Sequence, residues 1–133
     1  MEEEEKLKRK EACIRHAKTI HDTLRELYEN YTVYYEAWRR RDEKRMEIAA
    51  RSLEDQVSWI DELYETSLAF GAPEIITREE IEELKDDIRH IVSLMKEGRD
   101  PDVVGAFAEI TNSRWLVKLW DKYCECLRKM NLI

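Results

Sequence analysis

The chain has 133 residues, 43% apolar and 40% charged, which suits one domain with a single core and a densely charged surface. Its net charge of −7 argues against generic binding to nucleic acid or anionic lipid, both of which need a basic face. No apolar run is long enough to span a bilayer, and the Glu2–Glu5 run after Met1 is the opposite of a basic leader, so a soluble chain is expected. No glycine or proline occurs before Gly71, and that favours helix throughout the first half.

The first helix is expected over about 4–40. Ile14, Ala17, His21, Leu24, Tyr28, Tyr31, Tyr35 and Trp38 recur in steps of three and four, and read as its buried stripe. Cys13, Ile20, Leu27 and Tyr34 form a flanking line. Arg39–Arg41 interrupts the pattern and Asp42 is a candidate N-cap, which predicts a tight hairpin near 40–43, with one long continuous helix as the alternative. The second helix, about 43–69, carries Met46, Ala50, Leu53, Val57, Ile60 and Tyr64 on one face, with Ala49 and Leu63 beside it. Gly71-Ala72-Pro73 is its expected stop.

Thr77-Arg78-Glu79-Glu80 has the spacing of a capping box, and Ile76 and Ile81 that of a hydrophobic staple, so a third helix should run over about 78–97. Its core face is Ile81, Leu84, Ile88, Ile91 and Met95, and Gly98 supplies a left-handed stop. Asp100-Pro101 opens the last helix, about 101–130, with Gly105 as a weak point and Thr111-Asn112-Ser113 as a candidate kink. Short connections between long helices favour antiparallel neighbours. The expected fold is therefore all-α, an antiparallel up-down-up-down four-helix bundle forming one domain over 1–133. That topology brings Cys13 level with Cys124 and Cys126, and leaves open which of them it pairs with, or whether all three are reduced.

Catalytic signatures are thin. His21 falls on the expected core stripe, and His16 and His90 on outward faces. The nearest approach to a di-iron Glu-x-x-His pattern is Asp87-Ile88-Arg89-His90, and Cys124-Glu125-Cys126 has no second pair to complete a zinc site. Gly-rich phosphate loops, nucleophile elbows and His-Glu-x-x-His are not found. The expectation is a protein that is not an enzyme and takes no metal or cofactor. The scarcity of Gln and Asn beside abundant Lys, Arg, Asp and Glu suits a thermostable chain. A basic cluster, Arg39, Arg40, Arg41 and Arg45, is a secondary docking candidate, and the Glu79–Asp87 acidic cluster reads first as a solvated face. The tyrosines of the first helix could line a ligand pocket, though packing is the commoner use of such a stripe.

On the last helix, Leu116, Leu119, Trp120, Tyr123, Leu127 and Met130 fall on one side at about 100° per residue and are expected to face the core. Phe107, Thr111, Trp115 and Lys118 then form an outward stripe, joined at its edge by Asn112, and these five residues are the expected contacts for a protein partner. Within that stretch, Glu109-Ile110-Thr111-Asn112-Ser113-Arg114-Trp115-Leu116-Val117-Lys118 resembles the helical membrane-proximal external region of the HIV envelope transmembrane subunit. The matching positions are Ile110, Thr111, Asn112, Trp115 and Lys118, with Glu109 in place of Asp; Phe107-Ala108 departs from the viral Trp-Phe.

The resemblance covers about ten residues and implies an epitope scaffold, an immunogen recognised by antibody. An Asn30-Tyr31-Thr32 glycosylation sequon would suit a secreted protein of that kind. The competing expectations are a natural thermophile-type intracellular or viral helical interaction protein, and a small-molecule or metal-binding bundle centred on His21. Compartment follows origin: cytoplasmic if natural, secreted or recombinant if engineered. A monomer or weak homo-oligomer fits all three.

Overall fold

The computed structural model describes residues 2–69 and 75–129. Four α-helices account for nearly all of them: α1 (Glu2–Arg39), α2 (Glu43–Ala69), α3 (Arg78–Lys96) and α4 (Pro101–Lys129). Each helix packs on the next and α4 closes back on α1, as expected for an all-α bundle. Gly71–Pro73 and Met130 lie outside the described residues, as does the side chain of Leu63.

The turns follow from local chemistry. After α1 the amide of Asp42 donates to Ala37 O (2.8 Å) and that of Arg41 to Trp38 O (3.1 Å), a Schellman closure. Arg41 occupies its left-handed position with φ 56°, where glycine would be unstrained. Asp42 then caps α2 through its carboxylate and the amide of Arg45, 3.2 Å apart. The start of α3 is the capping box read from sequence: Thr77 Oγ1 accepts from the Glu80 amide (3.1 Å), and the Thr77 amide donates to Glu80 Oε1 (3.0 Å). Ile76 and Ile81 are both fully buried beside it. Gly98, at φ 70°, closes α3 in a second Schellman motif, with Gly98 N to Met95 O and Arg99 N to Leu94 O.

The faces of α2 and α3 are as expected. Ala49, Ala50, Leu53, Val57, Ile60 and Tyr64 are buried on α2, and Ile81, Leu84, Ile88, Ile91 and Met95 on α3. On α1 the helix is rolled. Its buried line is Ala12, Cys13, His16, Ile20, Leu24, Leu27, Tyr34 and Ala37, so the expected flanking line is the true centre. Ile14, His21, Tyr28, Tyr35 and Trp38 are exposed instead. The physical reason is that amphipathic Tyr, Trp and His rest comfortably at a boundary, whereas Cys13, Ile20, Leu24 and Leu27 gain only by burial.

The histidines exchange roles accordingly. His16 is inside, its Nδ1 accepting the Ile75 amide at 3.1 Å and its ring 5.7 Å from that of Tyr64. His21 is outside.

The cysteines settle the pairing: Cys13 is joined to Cys126, with Cα atoms 6.7 Å apart, and Cys124 is free. This ties the start of α1 to the end of α4. At the other end of the bundle, Tyr34 donates to Arg99 O (2.5 Å) and Tyr31 to Pro101 O (3.2 Å), pinning α1 to the α3–α4 turn. Burial raises both phenols, with Asp102 adding to the effect at Tyr31 and Asp100 at Tyr34, so they remain protonated donors.

Gly105 is no weak point in α4, which runs unbroken through it and through Thr111–Ser113. A Cβ there would lie 2.8 Å from Tyr31 Cζ and closer still to its hydroxyl. Gly105→Ala should therefore destabilise by about 1–3 kcal/mol despite the better helix propensity of alanine. In a Tyr31→Ala background the same change should be neutral or stabilising, a comparison readily made by urea denaturation.

Candidate recognition surface

The expected outward stripe on α4 is for the most part an inward one. Trp115 is 0% exposed and Thr111 6%. Trp115 donates from Nε1 to Asp87 Oδ2 at 2.8 Å, and the Arg114 guanidinium (5.2 Å) and the Lys118 ammonium (4.9 Å) each lie over its ring. Lys118 is itself paired with Glu80 at 2.8 Å. Asn112 is half-buried, and its Oδ1 has no hydrogen-bond partner among the described residues. Only Phe107 is exposed as expected, and it stands edge-on to the His90 ring of α3, 4.8 Å between centroids. The five candidate contacts therefore do not form one accessible face.

Charge on α3 turns α4 this way. Glu80, Glu83 and Asp87 share one side of α3 at spacings of three and four. Arg114, Lys118 and Lys122 share one side of α4 at spacings of four. The two rows meet: Arg114 pairs with Glu83 (3.0 Å) and Asp87 (3.4 Å), and Lys118 and Lys122 both approach Glu80. Half of the acidic cluster is thus an interhelical clamp rather than a free solvated face.

Burial pushes the Glu80 carboxyl up, but hydrogen bonds from Lys118 and from the amide and hydroxyl of Thr77, with the Lys118 charge, outweigh it and hold the group below its ordinary range. The stability this provides is fully present above the unfolded-state value, about pH 4.3, and is lost as pH falls through the lower folded value. Glu80→Gln should accordingly be less stable than the parent near neutrality by about 1 kcal/mol. The two should converge on acidification below the ordinary glutamate range, read from urea midpoints across the pH series.

What α4 does turn to solvent is Val103, Ile110, Val117 and Trp120, the last three between 63% and 66% exposed. Leu116, expected inside, is exposed too, as is Trp120; Leu119 and Leu127 alone of the described residues of that expected face are buried. Between α1 and α4 an apolar groove of about 230 Å³ is lined by Ile14, Ala17, His21, Leu116, Trp120 and Tyr123 among others.

No family model, characterised protein or solved structure matches this chain.

Other candidate sites are weaker. The tyrosines do not all line one pocket: Tyr28 and Tyr31 border a groove against α4, the hydroxyls of Tyr31 and Tyr34 are spent on backbone carbonyls, and Tyr35 and Trp38 lie open to solvent. Arg39, Arg40, Arg41 and Arg45 are all exposed at the α1–α2 turn, with Arg45 3.5 Å from Asp42. Among the described residues no three His, Cys, Asp or Glu side chains converge as a metal would require, and no helix is long and apolar enough to cross a membrane. Sequence reasoning missed Ile110, Val117 and Trp120 as surface residues. The signal that would have found them was the complementarity of the 80/83/87 acids with the 114/118/122 bases, which fixes the roll of α4 without reference to hydropathy.

Proposed function

We propose that the chain is a non-catalytic helical scaffold whose work is protein recognition through the outward face of α4. The observation that carries this reading is the exposure of Ile110, Val117 and Trp120 on a helix whose opposite side is well packed. Large apolar side chains held open on a rigid element are costly to leave in water and are the usual anchors of an interface. A photo-crosslinking residue at position 117 should give a discrete protein adduct that the same group at the exposed Glu47 of α2 does not give. The adduct should disappear with Trp120→Asp. Equal labelling from both positions would overturn the reading.

The antibody-directed form is a second reading, favoured by the match of residues 109–118 to the viral segment. In the folded bundle an antibody would reach Phe107, Ile110 and the head of Lys118, whereas Thr111 and Trp115 would be offered only by an α4 released from α3. Antibodies against that viral region should then bind, and more tightly after mild denaturation. An absence of binding in both states would remove this form.

A further inference from the structure

The outward face of α4 has a periodicity that a single bundle does not use. Val103, Ala106, Ile110, Ser113, Val117, Trp120 and Cys124 follow one another at three, four, three, four, three and four residues. This is a heptad seam, with Val103, Ile110, Val117 and Cys124 at its first apolar position and Ala106, Ser113 and Trp120 at its second. At about 100° per residue the seam lies opposite the line Val104, Ala108, Thr111, Trp115 and Leu119 that packs into the core. A strict heptad on a straight helix drifts by about 20° per repeat. By its next position the seam accordingly reaches Leu127, which is buried at the bundle's edge. Thus α4 carries two apolar lines, and only one of them is satisfied within the chain.

Resting on the recognition reading above, we propose that the partner on this face is a second copy of the same chain, packed α4 to α4 in an antiparallel coiled coil centred between Val117 and Trp120. Antiparallel pairing sets the first apolar position of one helix against the second of the other. In this register Val117 meets the partner's Trp120, and Cys124 meets the partner's Ser113, each twice by two-fold symmetry. The small Ser113 leaves room for the sulfur, and the large Trp120 is spared from meeting its own copy.

The flanking residues select the same register. On the α3 side, Arg114 falls against the partner's Asp121, and Phe107 against the partner's Arg128; on the α1 side, Leu116 falls against the partner's Tyr123. Asp121 and Arg128 are exposed and make no ion pair among the described residues. Arg114, half-exposed, keeps its contacts with Glu83 and Asp87 on its inner edge. Sliding the partner by one heptad in one direction sets Arg114 against its own copy, and in the other sets Asp121 against its own copy. A parallel pairing stacks Trp120 on Trp120 and places Asp121 against Leu116. Among the described residues, the three flanking pairs of the centred antiparallel register are opposite in charge, cation on aromatic, and apolar, which neither one-heptad slide nor the parallel pairing achieves.

Sedimentation equilibrium on the full chain with Cys13–Cys126 intact should show a dimer at micromolar concentration, its dissociation constant raised at least about 100-fold by Val117→Asp. That variant should keep the helical circular dichroism of the parent, because the position is exposed in the monomer. Asp121→Arg, a change at an exposed position, should weaken the dimer independently. Ser113→Cys should yield a covalent dimer joined through residues 113 and 124 on mild oxidation. The parent should not cross-link, since its two Cys124 residues lie about 16 Å apart along the axis.

A chain that stays monomeric overturns the second copy while leaving recognition of another protein by α4 in place. A dimer indifferent to both Val117→Asp and Asp121→Arg is joined elsewhere and overturns the seam as the contact between copies, again leaving recognition of another protein by α4 in place. A parent dimer linked through Cys124 to Cys124 overturns the antiparallel arrangement.

Discussion

Replacing Trp115 with alanine is expected to cost about 3–5 kcal/mol of stability, a large share of the roughly 5–15 kcal/mol available to a domain of this kind. The indole is fully buried, so its removal leaves a cavity among the core residues rather than a smoother surface. The loss extends beyond packing. Trp115 Nε1 supplies Asp87 with a hydrogen bond at 2.8 Å, and the ring is flanked by the Arg114 and Lys118 cations that hold α4 to α3. Trp115→Phe retains most of the apolar volume and loses the donor, and should fall between, about 1–3 kcal/mol below the parent. Urea denaturation of the three proteins under non-reducing conditions orders them. A change of less than about 0.5 kcal/mol on Trp115→Ala is what an exposed side chain would give, and would show that α4 has the opposite roll. By the same logic Trp120→Ala, on the open side of the helix, should leave the monomer's stability within that margin.

Loss of the Cys13–Cys126 bond should have an effect of comparable size. The bridge joins residues 113 apart in sequence and so closes nearly the whole chain into a loop. In the chain-entropy account a loop of that length restricts the unfolded ensemble by an amount worth about 4–5 kcal/mol, within a usual range of about 2–5. Cys13→Ser is therefore expected to lower the denaturation midpoint sharply. Because Cys13 is buried against α4, the serine hydroxyl adds its own desolvation cost; Cys13→Ala separates the two effects. Reductant should destabilise the parent and leave Cys13→Ala unmoved. Cys124→Ser should retain the parent's full response to reductant. If reduction leaves the parent's midpoint unchanged, the bond is not formed in solution and the bundle stands on its core alone. The tyrosines at the other end should then matter more, since Tyr31 and Tyr34 hydrogen-bond α1 to the α3–α4 turn.

The parts legible in the sequence are those decided by neighbours in the chain. The capping box of Thr77 and Glu80, the left-handed Gly98 and the cap at Asp42 each depend on a few consecutive residues, and each is formed as read. So are the buried faces of α2 and α3, where one aliphatic stripe dominates although α2 leaves Ile48 and Trp59 exposed. In those helices hydropathy alone has one answer.

It has two answers on α1 and α4, and there the tertiary structure decided. Both helices carry large apolar or aromatic residues around most of their circumference: Tyr28, Tyr35 and Trp38 compete with Leu27 and Tyr34 on α1, and Trp120 and Val117 compete with Trp115 and Leu119 on α4. Periodicity does not rank equal stripes. The choice was made by contacts between helices: Glu80, Glu83 and Asp87 drawing Arg114, Lys118 and Trp115 inward, Tyr31 lying against Gly105, and Cys13 meeting Cys126 rather than Cys124. The sequence by itself determined four helices, their ends and the closed sides of the middle two, because those are settled by hydrogen bonds and apolar spacing within a few turns. Which sides of the outer two would be open, and hence where a partner can dock, depended on charge rows some thirty residues apart meeting across an interface, and only the packed bundle brings those together.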